Sequence, residues 1–207
     1  MGQVVALDSL FHSRQVWHGR AAPLPGSSEP TGWPTLDAAL PTGGWPEHAM
    51  TEILLPADGV GELQLVLPTL ARMTQAQRHV MVIAPPHVPC VAGWEARGVV
   101  MAQVDIVQAA DRDVLWAAEQ CLRSGSCAAV LAWPTQADDR ALRRLQVAAD
   151  TGRALAFVFR DRRHAAHASP AALRLELESE PAPRVHVRKC RGGNAPTQAI
   201  ALAAGWS

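Results

Sequence analysis

Residues 30–65 read PTGWPTLDAALPTGGWPEHAMTEILLPADGVGELQL, and this stretch decides the fold. The run MTEILL at 50–55 is an apolar strand. It enters a turn carrying Pro56, Asp58, Gly59 and Gly61, and a helical pattern opens at Glu62. Strand, glycine turn and helix are the layout of a phosphate loop. Its GxxxxGK[ST] pattern wraps backbone N–H groups around phosphates, sets a lysine on the outer ones and a hydroxyl on Mg²⁺. Here Glu62 and Leu63 stand at the lysine and hydroxyl positions. No shift of register restores the pattern, because the sole lysine is Lys189 and no arginine stands between Arg20 and Arg72. A carboxylate beside a triphosphate repels it by about 4 kcal/mol per charge pair at surface-like dielectric. Nucleotide hydrolysis is therefore not expected, and neither a cofactor nor a metal is implied.

A length of 207 residues, 48% apolar and 18% charged, fits one α/β domain with one buried core. The net charge is zero, which excludes a protein that binds nucleic acid by bulk charge alone. The charge is uneven, however: residues 140–191 carry 12 basic against 5 acidic residues, and residues 1–100 carry 5 against 8. Cys90, Cys121, Cys127 and Cys190 form no CxxC pair, and neither a secretory signal nor a long apolar span is legible. Cytoplasmic residence with free thiols and no membrane contact is the expectation. His87 with Cys90, and His164 with His167, lack a second pair at metal-ligand spacing and read as ordinary loop residues.

Working outward, residues 1–20 hold a short amphipathic helix whose stripe is Leu7, Leu10, Phe11 and Trp17. Residues 21–30 are a breaker-rich linker, and 31–207 form a single domain with a degenerate phosphate loop. Within it, 35–40 read as a helical turn and 61–77 as a helix that Pro68 kinks or ends. Apolar strands at 79–85, 104–109, 127–133 and 153–160 then alternate with helices near 92–97, 112–125 and 138–152. That alternation specifies a mainly parallel sheet flanked by crossover helices. After a basic loop at 160–170, the alternating runs 171–179 and 184–190 read as an antiparallel hairpin added at the sheet edge.

This order, with TGWPTLDAALPTGGWPEHAMTEI leading into the loop, resembles the RecA recombinase core. The segments ALDSLFHSRQVWHG, LPADGVGEL, LRSGSCAAVLAWPTQADDRALRRLQVAAD and RKCRGG are more specifically similar to the ImuA family, the RecA-like proteins of bacterial mutasome operons. The resemblance implies a RecA-like α/β core and a non-catalytic role in SOS-induced translesion synthesis. The implied partners are ImuB and RecA, with an error-prone replicative polymerase paralogue engaged indirectly. It also implies that two further catalytic positions are lost. Ala132, Trp133 and Pro134 stand where recombinases end a strand in a Mg²⁺-positioning aspartate, and Pro85 stands where they carry the water-activating glutamate. SulA proteins, cell-division inhibitors that bind FtsZ, also resemble a truncated RecA core and supply the alternative reading. A divergent ATPase is a third.

Candidate contact residues follow from the charge excess. Arg140, Arg143 and Arg144 lie on a helix, Arg160, Arg162 and Arg163 in the basic loop, and Arg188, Lys189 and Arg191 on the last strand. Contact with DNA or a protein partner, weak and salt-sensitive in the case of DNA, stands beside the reading that these are solvated edge charges. Trp116 and Trp133 are expected in the core, whereas Trp33 and Trp45, in turn-rich segments, are candidate exposed anchors. The stripe Leu7, Leu10, Phe11 and Trp17 either docks on its own domain or mediates self-association or partner contact, since so short a helix is marginal alone.

Overall fold

The computed structural model describes residues 26–202. The helix read over 1–20, with Leu7, Leu10, Phe11 and Trp17, and the first half of the linker, residues 21–25, lie outside the described residues. Thirteen regular elements follow from Pro34 onward. They are α1 (Pro34–Ala39), β1 (Met50–Leu55), α2 (Glu62–Gln75), β2 (His79–Ile83), α3 (Val91–Glu95), β3 (Val104–Val107) and α4 (Asp111–Arg123). After these come β4 (Cys127–Ala132), α5 (Asp139–Gly152), β5 (Leu155–Asp161), β6 (Leu173–Glu178), β7 (Arg184–Cys190) and β8 (Ile200–Ala201). Short 3₁₀ turns occupy Met101–Gln103 and Arg162–Ala166.

The strands form one mixed sheet in the order β3-β2-β4-β5-β1-β6-β7-β8. β1 to β6 are parallel, β7 pairs antiparallel with β6, and β8 pairs antiparallel with β7. The central strands are buried on both faces, which is why they read as continuous apolar runs. Side-chain size divides the faces. Leu131, Phe157 and Phe159 point with Ile53 and Leu55 toward α1 and α2, where Trp33, Leu36, Leu65 and Leu70 meet them. The alternate residues Val130, Ala132, Ala156 and Val158 meet Val114 and Ala118 of α4 and Leu142 and Leu145 of α5. Small strand residues on this second face let α4 and α5 lie close to the sheet.

Three expectations need correction. Pro68 neither ends nor divides α2, which runs through it. The proline forfeits one ladder bond, worth about 3 kcal/mol in an exposed helix. Here the Trp33 Nε1–H donates to the Leu65 carbonyl at 3.0 Å, and Leu65, Val66, Leu67 and Leu70 are all buried beside it. Trp33 and Trp45 are core residues, 5% and 0% exposed, because the turns that carry them fold over α2. Trp116 is 61% exposed, because the buried stripe of α4 is Val114, Ala118 and Leu122, and Trp116 lies on the opposite side. The hairpin β6–β7 stands at the sheet edge as expected: β6 pairs in parallel with β1, β7 pairs antiparallel with β6, and the short β8 extends that edge by one more strand. No helix among the described residues is long and apolar enough to cross a membrane.

Candidate functional site

β1 delivers the chain into the turn 56–61 at the carboxyl ends of the parallel strands, and α2 begins at Glu62. Gly59 and Gly61 take φ of 77° and 94°, a region open to glycine and strained for other residues. This geometry closes the turn so tightly that Glu62, the first residue of the helix, is only 3% exposed. Its carboxylate folds back on the turn, and the Gly59 N–H donates to Oε1 across a long 3.4 Å. The amino terminus of a helix attracts anions through its free N–H groups and dipole. Here the chain supplies its own anion to that position. Glu62 Oε2 has no hydrogen-bond partner among the described residues.

Next to this turn, the carboxyl ends of the strands frame a crevice of about 430 Å³, the usual ligand position in an open parallel sheet. Its walls include Asp58, Pro85, Gln108, Asp111, Thr135 and Asp161. Trp133, directly after β4, stacks on Phe159 with ring centroids 4.4 Å apart and planes 15° from parallel. Its Nε1–H also has no partner among the described residues, although the residue is only 7% exposed. Pro85 and Trp133 thus stand side by side along the crevice, at positions where the resemblance implied that catalytic acids are lost.

Behind the crevice, the sequence reading missed a buried ion triad. Glu52, fully buried on β1, accepts from Arg160 Nη1 at 2.7 Å and from Arg174 Nε at 2.6 Å. Arg160 also donates to the Ala137 carbonyl at 2.9 Å, and Arg174 donates to the carbonyls of His164, Ala165 and His167 at 3.0, 3.3 and 2.9 Å. Between them, the two guanidiniums pin the segments before α5 and after β5. Arg160, a candidate contact residue, is therefore inward-facing at 7% exposure, held there by a carboxylate more than a hundred residues away in sequence. A glutamate interrupting the apolar run 50–55 was the signal that could have found this pairing.

The other basic candidates are exposed and divide among three elements. On α5, Arg140 has no ion pair among the described residues, Arg143 pairs with Asp139 at 3.0 Å, and Arg144 pairs with Glu119 of α4. In the turn after β5, Arg162 is unpaired among the described residues and Arg163 lies 3.9 Å from Asp161. On β7, Arg188 pairs with Glu176 at 2.6 Å, and Lys189 donates to the Ser169 carbonyl at 2.8 Å, tying β7 to the basic loop; Arg191, just after the strand, has no ion pair among the described residues. Burial lowers the Lys189 pKa, with Arg191 and Arg174 adding to the effect. His164 is lowered first by burial and then by Arg160 and Arg163, which favours its neutral form.

The family model described as cell division inhibitor SulA matches residues 49–156, from the start of β1 into β5. Among solved structures, SulA from Pseudomonas aeruginosa is 24% identical, with a TM-score of 0.45, over 53% of this chain and 96% of that chain. No curated protein matches this chain. With more than half of its length inside that family match, and the strand, turn and helix at 50–75 within the matched part, the chain belongs to the SulA cell division inhibitor family.

Proposed function

We propose that this chain works by binding another protein in the DNA-damage response and turns over no nucleotide. The observation that carries this reading is the Glu62 carboxylate folded against the Gly59 N–H, in the place where a working loop would hold phosphate. Family membership best supports a division inhibitor whose partner is FtsZ, acting in the cytoplasm. A second reading, an ImuA-type mutasome accessory that binds ImuB and RecA, is favoured by what lies outside the family match. Residues 157–202 complete β5 and add β6, β7 and β8, including the segment RKCRGG, and the amino-terminal segment ALDSLFHSRQVWHG also falls outside it.

Co-purification of the full chain with FtsZ, ImuB and RecA decides between the two readings. Capture of FtsZ alone establishes the first, and capture of ImuB or RecA without FtsZ establishes the second. The same protein should not hydrolyse ATP with or without single-stranded DNA. ATP turnover abolished by Glu62→Ala would overturn the non-catalytic reading. Leu10→Asp combined with Phe11→Asp tests whether the amino-terminal segment contributes to capture or to self-association.

A further inference from the structure

A second depression lies between the turn at 59–62 and the segment 85–90. It has a volume of about 240 Å³ and apolar walls that include Leu63, Pro85, Pro86, Trp94 and Trp133. Val88 stands on its rim at 88% exposure. Glu62 is the one carboxylate among the lining residues, with no arginine or lysine beside it. Two of the lining side chains each bury a polar atom that lacks a partner among the described residues: Glu62 Oε2, an acceptor, and Trp133 Nε1–H, a donor. Both belong to side chains more than nine-tenths buried. Elsewhere in the chain the buried acids are well satisfied: Glu52 holds two arginines, and Glu119 holds Arg123 and Arg144.

A buried carboxylate with one long hydrogen bond is costly until a donor reaches it. The lining narrows the choice of donor. His87 and Cys90 also line the cleft, but among the described residues no three His, Cys, Asp or Glu side chains are grouped to hold a metal ion, and a hard divalent cation would find one carboxylate where it requires several oxygen ligands. A phosphate group would meet Glu62 as a like charge. A long aliphatic stem ending in a cationic head matches both the walls and the floor. We propose that this cleft receives an arginine or lysine side chain presented by an extended apolar segment of a partner protein. Glu62, tethered only by the long Gly59 bond, turns its Oε2 to meet the head group, the stem lies along Pro85, Pro86 and Trp133, and a small shift of the indole lets a backbone carbonyl of the segment accept from Trp133 Nε1. Pro85, Pro86 and Pro89 restrict the backbone of the rim, so less ordering is required on binding. The loop that grips an anion in a phosphate-binding protein would here grip a cation. The inference rests on the protein-binding reading above and adds to it a site and a chemistry.

The test is random-peptide display against the full chain and against Glu62→Lys. Wild-type protein should select peptides carrying arginine or lysine next to apolar residues, and the Glu62→Lys protein should lose them and select acidic peptides. Peptides selected on wild type should bind Glu62→Gln at least about tenfold more weakly. They should also weaken with Val88→Lys, which places a like charge on the rim, and be unaffected by Val147→Lys, an exposed position on α5. Selection of no peptide, selection of peptides lacking a basic residue, equal binding to Glu62→Gln, or an equal loss with Val147→Lys each overturns the proposal. Circular dichroism melts establish that each variant is folded. Should Glu62→Gln fail to fold, the contrast between Val88→Lys and Val147→Lys decides the matter. If wild type captures none of FtsZ, ImuB and RecA, the functional reading fails. If capture persists undiminished in Glu62→Gln and Val88→Lys, only the cleft is wrong.

Discussion

Glu52 and Glu62 are both buried glutamates with different surroundings. Glu52 sits between β5 and β6 with an arginine on each carboxylate oxygen, so its charge is matched and its hydrogen bonding is complete. Removing it leaves Arg160 and Arg174 buried without a counter-charge. Breaking one side of such a set is far more damaging than replacing the whole set with apolar residues. Glu52→Gln is therefore expected to lower unfolding stability by about 3–5 kcal/mol in urea titration. A loss under about 1 kcal/mol would show that the triad is relaxed by solvent. Arg160→Ala should be similarly costly, which separates it from the exposed Arg140 and Arg162, whose removal should be close to neutral.

At the scale of the helices, α4 shows why a single aromatic residue is a poor guide to burial. The stripe Val114, Ala118 and Leu122 recurs every four residues and faces the sheet, and Trp116 lies about 200° around the helix from Val114. Trp116→Lys should change stability by less than about 0.5 kcal/mol, whereas Trp45→Ala should cost about 3–5 kcal/mol by thermal or urea unfolding. Trp45 is fully buried, donates Nε1–H to Thr69 Oγ1 at 2.8 Å, and meets Phe157 edge to face at 5.0 Å. Glu119 joins α4 to α5 through Arg144 and also accepts from Arg123 one turn along its own helix. Burial pushes its pKa up, but the two arginine hydrogen bonds outweigh that and hold it below the usual 4.5. A carboxyl lowered on folding stabilises at pH above its unfolded value, and that contribution is lost as pH falls through the folded value. Glu119→Gln should therefore cost about 1 kcal/mol at neutral pH, reduced by the solvent exposure of both arginines. The gap to wild type should close as urea titrations are repeated below the usual carboxylate range. A gap independent of pH would show that the pairing contributes nothing.

In the whole molecule, β1 lies between β5 and β6, so the first strand in sequence is central in space. The family match ends at residue 156, inside β5, yet the core continues through Leu173, Leu175 and Leu177 of β6 and Val185 and Val187 of β7. A chain truncated after Pro170 would uncover the edge of β1, strip Arg174 from Glu52, and expose the apolar face of α1 and α2 that β6 and β7 cover. Such a chain should show no cooperative thermal transition by circular dichroism and should aggregate through the opened edge. A sharp transition near that of the full chain would show that residues 49–170 fold on their own and that β6–β8 are an appendage.

Much of this architecture is legible in the residues alone. Continuous apolar runs placed the central strands, period-two alternation placed β6 and β7, and helical periodicity placed the long helices, because each pattern is set by which residues the element must bury. Glu62 and Leu63 at the lysine and hydroxyl positions were equally plain, since a motif's chemistry depends on residue type at fixed spacing. The tertiary structure alone decided what depends on contacts distant in sequence. Trp33 and Trp45 are core because turns fold over α2, Arg160 faces inward because Glu52 is 108 residues away, and Arg174 does so across 122. β8 is too short to show a period, and its place in the sheet comes only from the strand that it meets. The unpartnered polar side chains of Glu62 and Trp133 line one cleft because β1 and β4 end on the same side of the sheet, a juxtaposition set by strand order that no local pattern encodes.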